Sequence, residues 1–169
     1  MRHAATMGMT VVLASACSGA ASAGFTLYNT DFDGWKAATG AYETIDFTGF
    51  QFGTIITDQY VDQGVDFVDG NDYVIGSEGS VVFPIDGWGL TVGDSATLQF
   101  ASPQYSFGLH HPGGLRIDLF WQGELVYHSP PLPGSGPGWF VGVVSTTPFD
   151  KALIYDDDGG LAVDNIYFG

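Results

Sequence analysis

Asp164 stands in the run Leu161-Ala-Val-Asp-Asn-Ile-Tyr-Phe168, an expected strand with apolar residues on both faces. A bare carboxylate in such a layer is costly, so it must be paired, hydrogen-bonded or bound to a cation. Calcium is the cofactor this chemistry suggests, because it takes about six to eight oxygens from carboxylates, carbonyls and water. Asp46, Asp31 and Asp33 are the partners available from the N-terminal side. The competing reading gives Asp164 backbone N–H donors from a neighbouring loop. Asp156-Asp157-Asp158-Gly159-Gly160 reads as a solvated hairpin turn, since an EF-hand loop alternates its ligands and closes on Glu.

A second chemistry is stacking on sugar rings. Aromatic faces cover sugar C–H surfaces while acids and amides bond the hydroxyls. Trp88 and Asp86 lie in the glycine-containing stretch Pro84-Ile-Asp-Gly-Trp-Gly-Leu90, and Trp139 follows Pro133-Gly-Ser-Gly-Pro-Gly138. These three residues form the candidate ligand rim, carried on two loops; core packing or loop anchoring is the competing reading of the two tryptophans. Trp35 and the tyrosines Tyr60, Tyr73 and Tyr105 are further aromatic platforms, whereas Trp121 alternates with Leu115, Ile117 and Leu119 and is expected in the core. A third chemistry, zinc on His110, His111 and His128, is disfavoured because adjacent residues on a strand point to opposite faces.

No G-x-S-x-G elbow and no H-E-x-x-H pair occurs. The one cysteine, Cys17, lies in the leader-like segment. Paired carboxylates for glycoside hydrolysis are the remaining catalytic option. The expectation is a module without catalytic residues.

The elements that must position these groups are strands. Of the 19 acids sixteen are Asp, a turn residue with poor helix propensity. Gly, Pro and Asp interrupt short β-branched and aromatic runs at intervals of about 8 to 12 residues, the spacing of a sandwich or barrel. Strands are expected near Tyr42–Phe47, Val65–Val68, Tyr73–Ile75, Val81–Phe83, Ala96–Phe100, Ser106–His110, Leu115–Trp121, Glu124–His128, Trp139–Val144, Ala152–Tyr155 and Leu161–Phe168. Trp121-Gln122-Gly123-Glu124 reads as a hairpin turn. One helix is expected over Asp31–Ala38, with Thr30 as its N-cap and Gly40 as its end.

Residues 1–23 carry an export pattern: Arg2, an apolar stretch from Ala4 to about Ala16, then Ala21-Ser22-Ala23 before Gly24. That stretch is shorter than the roughly 20 apolar residues a membrane span requires. Leu13-Ala14-Ser15-Ala16-Cys17 also loosely fits a lipoprotein site, which would put a lipid on Cys17 at the outer surface. Residues 24–169 are expected to form one domain. The formal charge of −15 repels phosphate backbones and anionic lipid, which argues against nucleic acid and membrane surfaces as partners.

The stretches Ile45-Asp-Phe-Thr-Gly-Phe50, Gly53-Thr-Ile-Ile-Thr-Asp-Gln-Tyr60 and Gly64-Val-Asp-Phe67 resemble the opening of exported bacterial proteins of the PEP-CTERM type. Phe140-Val-Gly-Val-Val-Ser-Thr-Thr-Pro-Phe149 and Val163-Asp-Asn-Ile-Tyr-Phe168 are similar to their ending. The resemblance implies a jelly-roll-like antiparallel β-sandwich outside the cell, linked to extracellular polysaccharide. The family's C-terminal sorting signal does not follow Gly169, which leaves free secretion or the Cys17 lipid as expected routes. The Asp-Asn pair is also similar to the closing strand of carbohydrate-binding jelly rolls, where such an acid holds a structural calcium. The expectation is thus a secreted or surface glycan-binding module, with extracellular polysaccharide or surface glycan as partner. A structural adhesion protein without a small ligand is the alternative, and an extracellular polysaccharide hydrolase the third.

Overall fold

The computed structural model describes residues 24–68, 72–76, 87–134, 136, 138–156 and 160–169. Antiparallel strands dominate: β1 (Phe25–Asn29), β2 (Glu43–Ile45), β3 (Val65–Phe67), β4 (Tyr73–Gly76), β5 (Trp88–Val92), β6 (Ser95–His111), β7 (Arg116–Trp121), β8 (Glu124–His128), β9 (Trp139–Tyr155), β10 (Leu161–Val163) and β11 (Ile166–Phe168). One helix, α1 (Phe32–Thr39), follows β1, and a 3-10 turn covers Val61–Gln63. This is the expected β-sandwich with one short N-terminal helix.

The two longest strands organise it. β6 and β9 each run for 17 residues and pair along most of their length, from Ser95↔Tyr155 to His111↔Trp139. The register slips around Gln104, between Gln99 and Ser106. Pro103 and Pro148 fall within this irregular stretch, where a missing N–H costs the ladder least. Sequence patterning treats each of these long strands as two, because proline and small polar residues interrupt the apolar alternation. The halves of β6 and β9 take different neighbours. β9 carries β1 beside Val141–Ser145 and β7 beside Lys151–Tyr155. β6 carries β3 beside Leu98–Phe100 and β11 beside Phe107–Leu109. The full order is β2-β11-β6-β9-β7-β8, and a second sheet, β10-β5-β4, lies apart.

Inward side chains from both sheets meet in one core cluster. Leu98, Phe107, Ile117, Leu119, Val141 and Ile154 come from the large sheet, and Leu90, Leu161 and Val163 from the small one. Phe100 bridges the two halves of the bent strands, with its ring 6.2 Å from Phe107, 6.0 Å from Phe149 and 5.3 Å from Phe168.

A smaller cluster lies on the opposite face of the large sheet, under α1: Trp35, Phe140 and Tyr167, flanked by Tyr28, Phe32, Tyr42 and Val144. Trp35 is fully buried, and its indole Nε1–H donates to the Val143 carbonyl at 3.3 Å. Gly142 is what admits it, because a Cβ there would lie 2.4 Å from Trp35 Cδ1. The N-cap of α1 is Asp31, not Thr30: the Asp31 carboxylate accepts the Gly34 N–H at 2.9 Å, while the Thr30 hydroxyl turns back to the Asn29 carbonyl. Gly40 ends the helix at φ +81 as expected. The two-residue turn Gln122-Gly123 joins β7 and β8 with both φ positive (52 and 88), the primed geometry that matches strand twist.

Further expectations need correction. Leu161–Phe168 is not one central strand: β10 belongs to the small sheet, β11 lies between β2 and β6 of the large one, and the chain changes sheets at Asp164-Asn165. Trp121 is half-buried rather than core, since it closes the ladder opposite Glu124 beside the turn. Trp88 is in strand β5 and not in a loop, because β4 and β10 pair with both of that strand's edges. The expected strand Val81–Phe83 lies outside the described residues.

Candidate functional site

The bend in β6 leaves an opening at the surface of the large sheet. Ser102 and Gln104 stand at the slipped register, and Phe168 and Gly169 reach it from the neighbouring β11. Glu43 enters from β2, opposite Phe168. Gln63 and Gly64 close the far side from the 3-10 turn, which stops at Gly64 in left-handed conformation, φ +85. Together with Ala41 and Tyr42 these residues line a cleft of about 260 Å³. A second opening of about 150 Å³ adjoins it across Gly64, lined by Val61, Val65, Asp66, Gln99, Phe100 and Ala101.

The groups in the larger cleft differ in how firmly they are held. Tyr42 is fixed: its ring lies 5.3 Å from Trp35 and meets Tyr167 edge-on at 5.8 Å. Gln104 is buried, and its amide nitrogen donates to the Ser102 carbonyl at 3.0 Å and hydroxyl at 3.2 Å. Glu43 and Gln63 are exposed. The arrangement offers a carboxylate, two amides and a hydroxyl around one concavity, a lining suited to a polyhydroxylated ligand.

The residues singled out by sequence are dispersed. Asp86 lies outside the described residues. Trp88 is 37% exposed at the start of β5, and Trp139 is half-buried at the start of β9, opposite His111. Neither indole joins a ring pair among the described residues. Trp35 and Tyr60 are interior, so neither is a surface platform. Burial, reinforced by Asp46, pushes the Tyr60 phenol up to about 12. The Tyr73 side chain lies outside the description, and Tyr105 is 48% exposed beside Gln104.

The four acids expected around calcium have separate surroundings. Asp31 caps α1, Asp33 pairs with Lys36 at 2.7 Å, and Asp46 accepts the Thr48 N–H and hydroxyl in a local turn. Asp164 is buried at the sheet crossing, where its carboxylate accepts from the Asn165 amide at 3.2 Å. Its backbone N–H donates to the His110 carbonyl, and the His110 N–H donates to the Asn165 carbonyl. No group of three metal-ligating side chains occurs among the described residues.

The histidines diverge as adjacent strand residues should. His110 turns toward α1, 3.0 Å from the Tyr167 hydroxyl and edge-on to Phe32. His111 is fully buried on the other face, with Nδ1 on the Gly113 carbonyl. Burial lowers the pKa of both, and for His110 the neighbouring His111 adds to it. His128 pairs with Asp118 at 2.7 Å. Asp157, Asp158 and Gly159 fall outside the described residues.

The cleft itself has a faint sequence signal in Ser102-Pro103-Gln104, the polar break inside an otherwise apolar strand pair. Tyr42-Glu43 and Gln63-Gly64 carry none, since only the fold brings them there.

No family model matches the chain, and no curated protein matches it. Among solved structures, a point mutant of a family 29 carbohydrate-binding module aligns with TM-score 0.43 and 13% identity, over 75% of this chain and 90% of that one. Another family 29 module aligns at 0.34 and 12%, over 85% and 87%. A family 32 carbohydrate-binding module bound to GalNAc aligns at 0.34 and 13%, over 76% and 96%.

Proposed function

We propose that this protein is a non-catalytic glycan-binding module acting at the cell exterior, with the cleft at the β6 bend as its ligand site. The observation that carries this is the lining of that cleft: Tyr42, Glu43, Gln63, Ser102 and Gln104 around one opening. The leader-like residues 1–23 and the resemblance to exported PEP-CTERM-type proteins support the exterior location. Among the described residues no helix is long and apolar enough to cross a membrane.

The test is a glycan array probed with the full-length protein and with Gln63→Ala. Gln63 is exposed on a surface turn, so its removal should leave the melting temperature unchanged while weakening glycan binding several-fold, as loss of a ligand hydrogen bond does. Absence of binding to every glycan would return the chain to the adhesion reading. Binding that Gln63→Ala and Trp88→Ala leave and remove, respectively, would move the site to the β5 edge.

A further inference from the structure

We infer that the cleft selects sugars bearing a free amine, the 2-amino-2-deoxyhexoses, over neutral and uronic sugars; this rests on the glycan-binding reading above. The first ground is the balance of donors and acceptors. The two amide hydrogens of Gln104 are committed to Ser102, so what Gln104 retains for a ligand is its carbonyl oxygen. The backbone N–H groups of Gly64 and Gly169 are likewise used, on the Val61 and Ser106 carbonyls. Glu43 contributes a carboxylate, which only accepts when ionised. Beside the donors of the Gln63 amide and the Ser102 hydroxyl, the lining therefore presents the Glu43 carboxylate and the Gln63 and Gln104 amide oxygens as acceptors, and an ammonium group brings donors alone.

Charge is the second ground. Glu43 is the one acidic side chain in the lining, no lysine, arginine or histidine lines the cleft with it, and it makes no ion pair among the described residues. A sugar carboxylate or sulfate placed there would meet Glu43 with no compensating cation, inside the field of a chain of formal charge −15. An ammonium at the same place would gain from both.

A chain this acidic draws any polyamine weakly, so the experiment must separate the site from the general field. Titration calorimetry of the full-length protein would compare β-1,4-linked glucosamine oligomers with their fully N-acetylated counterparts and with oligouronates of equal length, at physiological ionic strength. The free-amine oligomer should bind about five-fold more tightly than the N-acetylated one, the upper end for an exposed ion pair, and the oligouronate should not bind. Glu43→Gln changes the total charge by one unit, so general attraction persists in it; the ratio of free-amine to N-acetylated affinity should fall from about five toward one. Equal affinities in the wild type, or a preference that Glu43→Gln leaves undiminished, would overturn the inference and leave glycan binding standing. Failure of all three oligomer classes to bind, together with a blank glycan array, would overturn both.

Discussion

Replacing Gly142 by alanine tests how α1 is attached to the sheet. Gly142 has no left-handed φ, so alanine suits its backbone. At such a position the change would ordinarily stabilise by about 0.4–1 kcal/mol through the unfolded chain. Here the added Cβ would stand 2.4 Å from Trp35 Cδ1, 2.6 Å from Phe140 Cζ and 2.7 Å from Trp35 Nε1. Carbon atoms settle at about 3.5–4.0 Å, so the indole must retreat by about 1 Å. It cannot do so freely, because it is fully buried, bonded to the Val143 carbonyl, and packed against Phe32, Phe140, Tyr42 and Tyr167. Overpacking of this kind costs about 1–3 kcal/mol, which outweighs the backbone gain and leaves a net loss of about 1–2 kcal/mol. For a chain of this length that lowers the melting temperature by about 2–8 °C.

Urea unfolding of four proteins would decide it: wild type, Gly142→Ala, Trp35→Ala and the double variant. Trp35→Ala alone should cost about 3–5 kcal/mol, as for any large buried aromatic. In the double variant the methyl enters the space the indole left, so the two losses should fall short of adding by about 1 kcal/mol or more. The nearby Phe140 keeps the relief partial. Gly142→Ala equal to or more stable than wild type would refute the close approach. Strict additivity in the double variant would refute Trp35 as the obstructing group.

Stability should also fall as pH drops below about 6.5, because burial holds His110 and His111 below the ordinary imidazole value. In that window the unfolded chain binds more protons than the native one, so their contribution is complete above pH 6.5 and is lost as pH falls through the lowered native values. Thermal melts from pH 7.5 to 5 would show it, and a flat profile, or one that His111→Gln leaves unchanged, would count against the buried imidazole. Calcium held by Asp164 would lower the melting temperature on chelation and restore it on addition, by mass action on the native state, with Asp164→Asn abolishing the response. Melting curves indifferent to both treatments would assign that carboxylate to the sheet crossing alone.

Local signals were the legible part of the fold. Gln122-Gly123 specifies a primed hairpin wherever it sits between two strands, and Gly40 ends α1 because only its left-handed φ is needed there. Leu115, Ile117 and Leu119 alternate cleanly and are buried. The alternation misleads at Trp121, where the strand outruns the core and the indole is left half-covered beside the turn. Pro103 and Pro148 mislead in the opposite sense. Each marks a break in pairing, yet the chain continues in strand through it because β6 and β9, 17 residues each, pair with one another on both sides of the slip.

Leu161–Phe168 shows why burial is more legible than topology. Leu161, Ala162 and Val163 are all buried, as are Ile166, Tyr167 and Phe168, so no alternation distinguishes one sheet from another. Asp164 does announce itself as a buried polar residue, and that much follows from composition. Its surroundings follow from the crossing, where the His110 backbone bonds both Asp164 and Asn165. The same holds for the cleft. Tyr42, Glu43, Gln63 and Gln104 are unexceptional one by one, and 62 positions separate Tyr42 from Gln104. They meet because β2 joins β11, β11 joins β6, and β6 bends at the slip beside the 3-10 turn. A site assembled from strand ends in this way has no motif. Its signal in sequence is a polar interruption within a long strand, and Ser102-Pro103-Gln104 is where this chain places it.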